Sequence, residues 1–278
     1  MKKWFLACVL VIVAAALAAC GSSDSKDTTK ETTSKKITVG ATAGPYSDML
    51  KKAIIPALEE KGYDVTLKEF SDYIQPNNAL DNGDIDANLF QHSIYLKNFN
   101  KENGTKLKAL IIVPTAPMGF FSSKYKTIED LPEGAKISIA NDPVNLARTL
   151  KTLNDEGLIE VNPDVDPLVA STKDITKNPK NFEFREIEAG GLPRAIETSD
   201  LAGVPGNFAL AADLDLQDAL FLEDMPDQYR NVVAVREADE KSQLAKDIKE
   251  IVESTQFEKT IDTEFKGFGK PEWMKERK

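Results

Sequence analysis

The chain has 278 residues, 41% of them apolar, with 35 basic residues against 45 acidic ones and a single histidine. A formal charge of −10 offers no basic stripe for a phosphate backbone, so nucleic acid is not an expected partner. Both cysteines, Cys8 and Cys20, fall in the first twenty residues, so the remainder can hold no disulfide, thiol nucleophile or cysteine-based zinc site.

Lys2 and Lys3 precede an apolar run, Trp4 to Leu17, that is too short to span a bilayer comfortably. Leu17, Ala18 and Ala19 then form a small-residue cleavage site ending at Cys20. This pattern resembles the bacterial lipoprotein signal, and an ordinary secretory peptide with a chance cysteine is the alternative. The resemblance implies a signal peptide over 1–19, cleavage before Cys20, and acylation of its thiol and new amino terminus. The product would be extracytoplasmic and lipid-anchored to the bacterial cell membrane, held stably because more than one acyl chain is attached. Removing the two signal lysines leaves 33 basic against 45 acidic groups, a formal charge of −12. Residues 21–35, "GSSDSKDTTKETTSK", have no apolar side chain large enough to pack and read as a flexible tether. As a random coil such a segment reaches roughly 20 Å.

From Ile37 short β-branched runs alternate with helical patterns. "KITVGA" predicts a strand. "PYSDMLKKAIIPALEEKG" predicts a helix whose Leu50, Ala53, Ile54, Ala57 and Leu58 share one face and which stops at Gly62. "YDVTLKEF" alternates as a strand, "QPNNALDNG" reads as a short helix with Pro76 in its first turn, and "IDANLF" as a strand. A helix through "IYLKNFNKENG" and a strand "LKALIIV" follow, and this βαβαβαβ order implies a largely parallel sheet. After "PTAPMGFF" a second series begins. "AKISIA" predicts a strand, Asp142 or Pro143 opens a helix through "NLARTLKTLNDEG", and "FEFREIE", "LAGV" and "NVVAVRE" are further strands. "SQLAKDIKEIVES" predicts a helix with Leu244, Ile248, Ile251 and Val252 on one side. Two α/β series suggest two lobes, with ligand sites beyond the carboxyl ends of strands and often between domains.

"DNGDIDANLFQH", Asp81 to His92, gathers three aspartates and the one histidine. Turn chemistry accounts for Asp81 to Asp84, and Asp86 is expected to face solvent or cap a neighbour. An EF-hand loop is excluded by the missing late glutamate and the misplaced glycine, and no metal is expected. No G-x-S-x-G elbow is present, although carboxylate pairs could still support hydrolysis. Phe70, Tyr73, Phe90, His92 and Tyr95 cluster near the ends of two successive strands, where an apolar slot with polar tips would form; Phe70 and Phe90 could equally be core. In "IANDPVNLARTL", Asn141 ends a strand and Asn145 and Arg148 share a helical face. A guanidinium fork can grip a carboxylate and side-chain amides can take an ammonium, which is how a zwitterion is held; a solvated arginine with two turn asparagines is the plainer reading of this stretch alone.

Five ordered blocks, "VGATAGPYSDML", "FSDYIQPNNAL", "GDIDANLFQHSIYL", "NDPVNLARTL" and "NPKNFEFREIEAGGLPRAIE", resemble the NlpA/MetQ family of methionine-binding lipoproteins over nearly the whole mature chain. The resemblance implies an α/β, two-lobed fold of the type II periplasmic-binding-protein kind, each lobe a mainly parallel sheet flanked by helices, with the ligand in the interlobe cleft. The expected boundaries are a lipidated Cys20 and tether over 20–35, one lobe from 36–115 plus 229–278, and a second over 116–228. Carried over by motif, Tyr46, Phe70, Tyr73, Phe90, His92 and Tyr95 would enclose a thioether side chain, with His92 a neutral hydrogen-bonding wall. Arg148 would take the carboxylate, assisted by Asn145 and Asn141, and Asn207 would keep a family position. The implied partners are a small amino-acid-like ligand, an ABC importer permease with its cytoplasmic ATPase, and the membrane through the anchor; neither cofactor nor catalysis is implied.

The chain departs from the family pattern in "GVPGNFA", where Pro205 replaces an asparagine, and at Tyr46, where many relatives carry histidine. Proline brings no polar side chain, and a lost hydrogen bond to a charged ligand group is worth about 1.5 to 3 kcal/mol. The expectation therefore extends from methionine to a related amino acid, the D-enantiomer or a short methionine-containing peptide. An extracellular hydrolase with a carboxylate pair and a protein-binding adhesin are the competing expectations.

Overall fold

Two five-stranded sheets carry the fold, and the loops that leave their strands meet in one cleft. The computed structural model describes residues 35–277. The expected signal peptide, the lipidated Cys20 and the tether as far as residue 34 lie outside the described residues.

The first sheet opens with β1 (Lys35–Thr42), so Lys35, expected as the last tether residue, is already paired with Tyr63. The chain continues through helix α1, strand β2 (Tyr63–Phe70), helix α2 (Gln75–Asp81), strand β3 (Ala87–His92), helix α3 (Ser93–Asn103) and strand β4 (Leu107–Ile112). Helix α1 runs Pro45–Met49, then a π-helical stretch Leu50–Ile54, then Ile55–Glu60. Pro56 lacks the N–H that a regular turn would use, and the wider stretch before it absorbs the loss. Leu50, Ile54 and Leu58 face the core as the spacing predicts, while Ala53 and Ala57 are half-buried at its margin. β3 is buried along its whole length instead of alternating, as befits a strand covered on both faces. Asp86 lies just before it and caps the neighbouring strand, accepting from Thr38 N–H at 2.8 Å.

The chain then enters the second sheet through β5 (Gly119–Phe121), followed by β6 (Lys136–Ala140), helix α4 (Pro143–Asp155), a small hairpin of β7 (Glu160–Val161) and β8 (Ile175–Lys177), and β9 (Glu183–Ile187). Helix α5 (Leu192–Ala195), strand β10 (Leu201–Val204), helix α6 (Gly206–Ala211) and strand β11 (Phe221–Leu222) complete that half. β12 (Asn231–Arg236) returns to the first sheet, and helices α7 (Gln243–Val252), α8 (Thr255–Glu264) and α9 (Glu272–Lys275) pack outside it. Asp142 caps α4 by accepting from Asn145 N–H at 2.9 Å, and Ser242 caps α7 by accepting from Ala245 N–H at 3.1 Å.

The strand orders are β2-β1-β3-β12-β4 and β11-β5-β10-β6-β9. In each sheet three parallel strands are followed by one antiparallel strand that arrived from the other sheet, β12 in the first and β5 in the second. This exchange makes the molecule a two-lobed α/β fold with the type II binding-protein strand order. Each sheet is buried on both faces by apolar clusters, including the stacked rings of Phe120 and Phe221 with centroids 4.3 Å apart. Burying one such side chain stabilises by about 1.5 to 3 kcal/mol.

Candidate functional site

The loops at the carboxyl ends of the parallel strands face one another, and a narrow cavity lies between them. Tyr46 follows β1, Tyr73 follows β2, and Gln91, His92 and Tyr95 span the junction of β3 and α3. From the second sheet, Asn145 and Arg148 come from the first turns of α4, and Pro205, Gly206 and Asn207 from the start of α6. Thr115, Ala116 and Asn231 line it from the two segments that cross between the sheets.

The aromatic wall is continuous. Tyr73 lies 5.9 Å from Phe90, 5.8 Å from Tyr95 and 4.9 Å from Phe208 by ring centroid, and Phe90 and Tyr95 meet edge to face at 6.1 Å. Tyr73 also ties the two sides together, since its hydroxyl donates to Asn207 Oδ1 at 2.6 Å. Burial first, and then the Asp142 charge, hold the Tyr73 phenol well above its ordinary pKa, so it stays a neutral donor. With Oδ1 so used, Asn207 Nδ2 is buried and has no hydrogen-bond partner among the described residues. A buried amide N–H is seldom left empty, and this one belongs to a residue that lines the cavity.

His92 does two things at once. Its Nδ1 accepts from Tyr95 N–H at 3.2 Å, capping α3, and its Nε2 lies 3.4 Å from Asn145 Oδ1. A ring protonated on Nε2 alone satisfies both contacts. Burial and then the Arg148 charge press its pKa down to about 3, against a weaker upward pull from Asn145, so the ring is neutral. Asn145 is itself engaged, its Nδ2 donating a shared hydrogen bond to both Asp142 oxygens at 3.1 and 3.0 Å.

Arg148 differs from the expectation of a free fork. Its Nε donates to Glu223 Oε2 at 2.7 Å and its Nη2 to Glu223 Oε1, while the Tyr229 ring lies 5.1 Å from Cζ. Desolvation opposes the charge, yet Glu223 leaves the guanidinium with a raised pKa. Only Nη1 makes no hydrogen bond among the described residues.

Of the expected residues, Tyr46, Tyr73, Phe90, His92, Tyr95, Asn145, Arg148 and Asn207 line the cavity, while Phe70 and Asn141 stand outside it. Phe70 ends the edge strand β2, half-buried against the cluster behind Phe90 with Lys68 Nζ 5.4 Å over its ring. Asn141 is exposed. Its N–H is used by Ile187 O at 2.8 Å and it faces an outer groove with Asp72 and Glu188. Gln91, Thr115, Ala116, Asn231 and Glu223 were missing from the expected set. Gln91, next to His92 in a motif, could have been found; the others have no local signal.

The NlpA lipoprotein family model matches residues 37–273. The methionine-binding lipoprotein MetQ of Bacillus subtilis (strain 168) is 37% identical, covering 96% of this chain and 97% of the relative. The D-methionine-binding lipoprotein MetQ of Escherichia coli (strain K12) is 35% identical over 96% and 95%. A nutrient-binding protein from Burkholderia cenocepacia, solved bound to methionine, superposes with a TM-score of 0.79 at 38% identity, covering 83% of this chain and 97% of its own. Matched in sequence from the first strand to the last helix and in the fold that surrounds the cleft, the chain belongs to the NlpA lipoprotein family.

Proposed function

We propose that this protein is the substrate-binding component of an ABC importer and captures methionine or a close relative of it. The observation that carries the reading is the cavity itself: an aromatic enclosure suited to a thioether, sharing its walls with a buried guanidinium and an unsatisfied amide N–H suited to a carboxylate. The relatives' names supply the ligand class. The lobes would be 36–115 plus 229–278 and 116–228, hinging where the connections between β4 and β5 and between β11 and β12 cross, near the Thr115 hydroxyl that accepts Asn231 N–H at 2.8 Å. Acylation at Cys20 would hold the protein at the membrane beside the permease and its ATPase, and the chain would perform no chemistry on its cargo. Pro205 presents the cavity with a ring in place of an amide, its carbonyl being used by Phe208 and Ala209 N–H at 2.9 and 3.0 Å. D-methionine and short methionine peptides therefore belong in the test beside L-methionine.

Calorimetry on dialysed protein should give a saturable, exothermic signal with at least one of these ligands. Asn207→Asp keeps the acceptor for Tyr73 but exchanges the free N–H for a negative charge. It should weaken binding by about 1.5 to 3 kcal/mol, roughly 10- to 150-fold. Silence with every ligand would end the reading, and an unchanged affinity in the variant would end the role of Asn207.

A further inference from the structure

Glu223 stands in the segment that leaves β11, and its side chain is as secluded as that of Arg148, at 3% and 6% exposure. Its carboxylate occupies the Nε edge of the guanidinium, and Oε1 accepts a further bond from Met118 N–H at 2.6 Å. Met225 Sδ lies 3.5 Å from Nη2. An incoming carboxylate therefore finds the Nε/Nη2 edge taken, with Nη1 the one nitrogen that makes no hydrogen bond among the described residues, and a guanidinium whose charge is already compensated at contact distance.

We propose that Glu223 is a specificity-determining residue: by neutralising Arg148 inside the cavity it makes the site favour a ligand with no net charge, a zwitterion, over an anion of the same shape. The inference rests on the amino-acid reading above. Charges in a buried site are weakly screened, so the sum over the pair governs what can enter. An anion that sheds its water needs an uncompensated cation in return, and here it finds an ion pair. A zwitterion brings its own counter-charge and leaves the balance unchanged.

The test compares methionine with 4-(methylthio)butanoate, which has the same thioether and carboxylate but no ammonium, on the full chain by calorimetry. Three proteins are needed: the natural one, Glu223→Gln, and the double variant Arg148→Gln/Glu223→Gln. In Glu223→Gln the arginine charge is unmasked, and the ratio of methionine to methylthiobutanoate affinity should move toward the anion by roughly tenfold or more. In the double variant the cavity is neutral again, and the ratio should return to within about threefold of the natural value even though both affinities fall. A ratio unmoved by Glu223→Gln overturns the proposal, because a purely structural role would weaken both ligands alike. If Glu223→Gln does not fold, the double variant, which leaves no buried charge unpaired, decides alone. A ratio there shifted roughly tenfold against the anion would show that Arg148 had acted as an uncompensated cation, and would overturn the proposal. Failure of the natural protein to bind methionine, other amino acids or their peptides would overturn the underlying reading and this inference with it.

Discussion

Replacing His92 by glutamine should flatten the acid limb of the protein's stability profile. In the native state burial, and after it the Arg148 charge, lower the ring's pKa to about 3, while in the unfolded chain it returns to about 6.5. Above pH 6.5 both states hold a neutral ring and no stability is at stake. As the pH falls from about 6.5 toward about 3 the unfolded chain takes up a proton that the native ring refuses, and stability is lost throughout that window. At pH 5 the linkage amounts to RT ln(1 + 10^1.5), about 2 kcal/mol. The side chain is buried, so solvent screening takes little from this figure. Urea unfolding of ligand-free natural protein and of His92→Gln, each at pH 7.5 and 5.0, isolates the term, because carboxylate contributions common to both cancel in the double difference. The natural protein should lose about 2 kcal/mol more than the variant between the two pH values. Parallel losses would mean that the ring titrates in the folded state much as it does unfolded, and the argument from burial and Arg148 would be refuted.

Two further substitutions probe the scaffold around the cleft. A Cβ at Gly206 would lie 2.4 Å from Pro117 O and 2.7 Å from Ala116 Cβ, backbone and side chain of the crossing segment. Gly206→Ala should therefore lower stability by about 1 to 3 kcal/mol, read as a reduced melting temperature, and an unchanged one would show that the crossing yields freely. Asn77 is fully buried in a ring of amides, donating to Gln91 Oε1 at 2.7 Å and accepting from Gln91 Nε2 at 2.6 Å and Asn88 Nδ2 at 3.0 Å. Asn77→Ala strands those groups at about 1 to 3 kcal/mol each and frees Gln91 on the cavity wall, so melting temperature and methionine affinity should fall together. A variant that melts lower yet binds as before would confine the network's role to folding.

What the sequence determined by itself is what the backbone decides within a few residues. The helix face of Leu50, Ile54 and Leu58, the helix start at Asp142, and the placing of Tyr73, His92, Asn145 and Arg148 at or beyond strand ends all follow from short-range periodicity and local hydrogen bonding. Asp86 as a cap and His92 as a polar residue beside an aromatic cluster follow from the same reasoning. The tertiary structure alone decided which strands exchange between the sheets, because pairing β12 between β3 and β4 is a choice among distant partners that no local period encodes. Thr115 and Asn231 meet although 116 residues separate them, and Arg148 finds Glu223 across 75. The exclusion of Phe70 and Asn141 from the cavity has the same origin, since a position at a strand end fixes a neighbourhood while only the packing of the two sheets fixes which side chains in it turn inward. For the same reason the sequence could offer the arginine as a candidate carboxylate ligand but could not reveal that an internal carboxylate already occupies it.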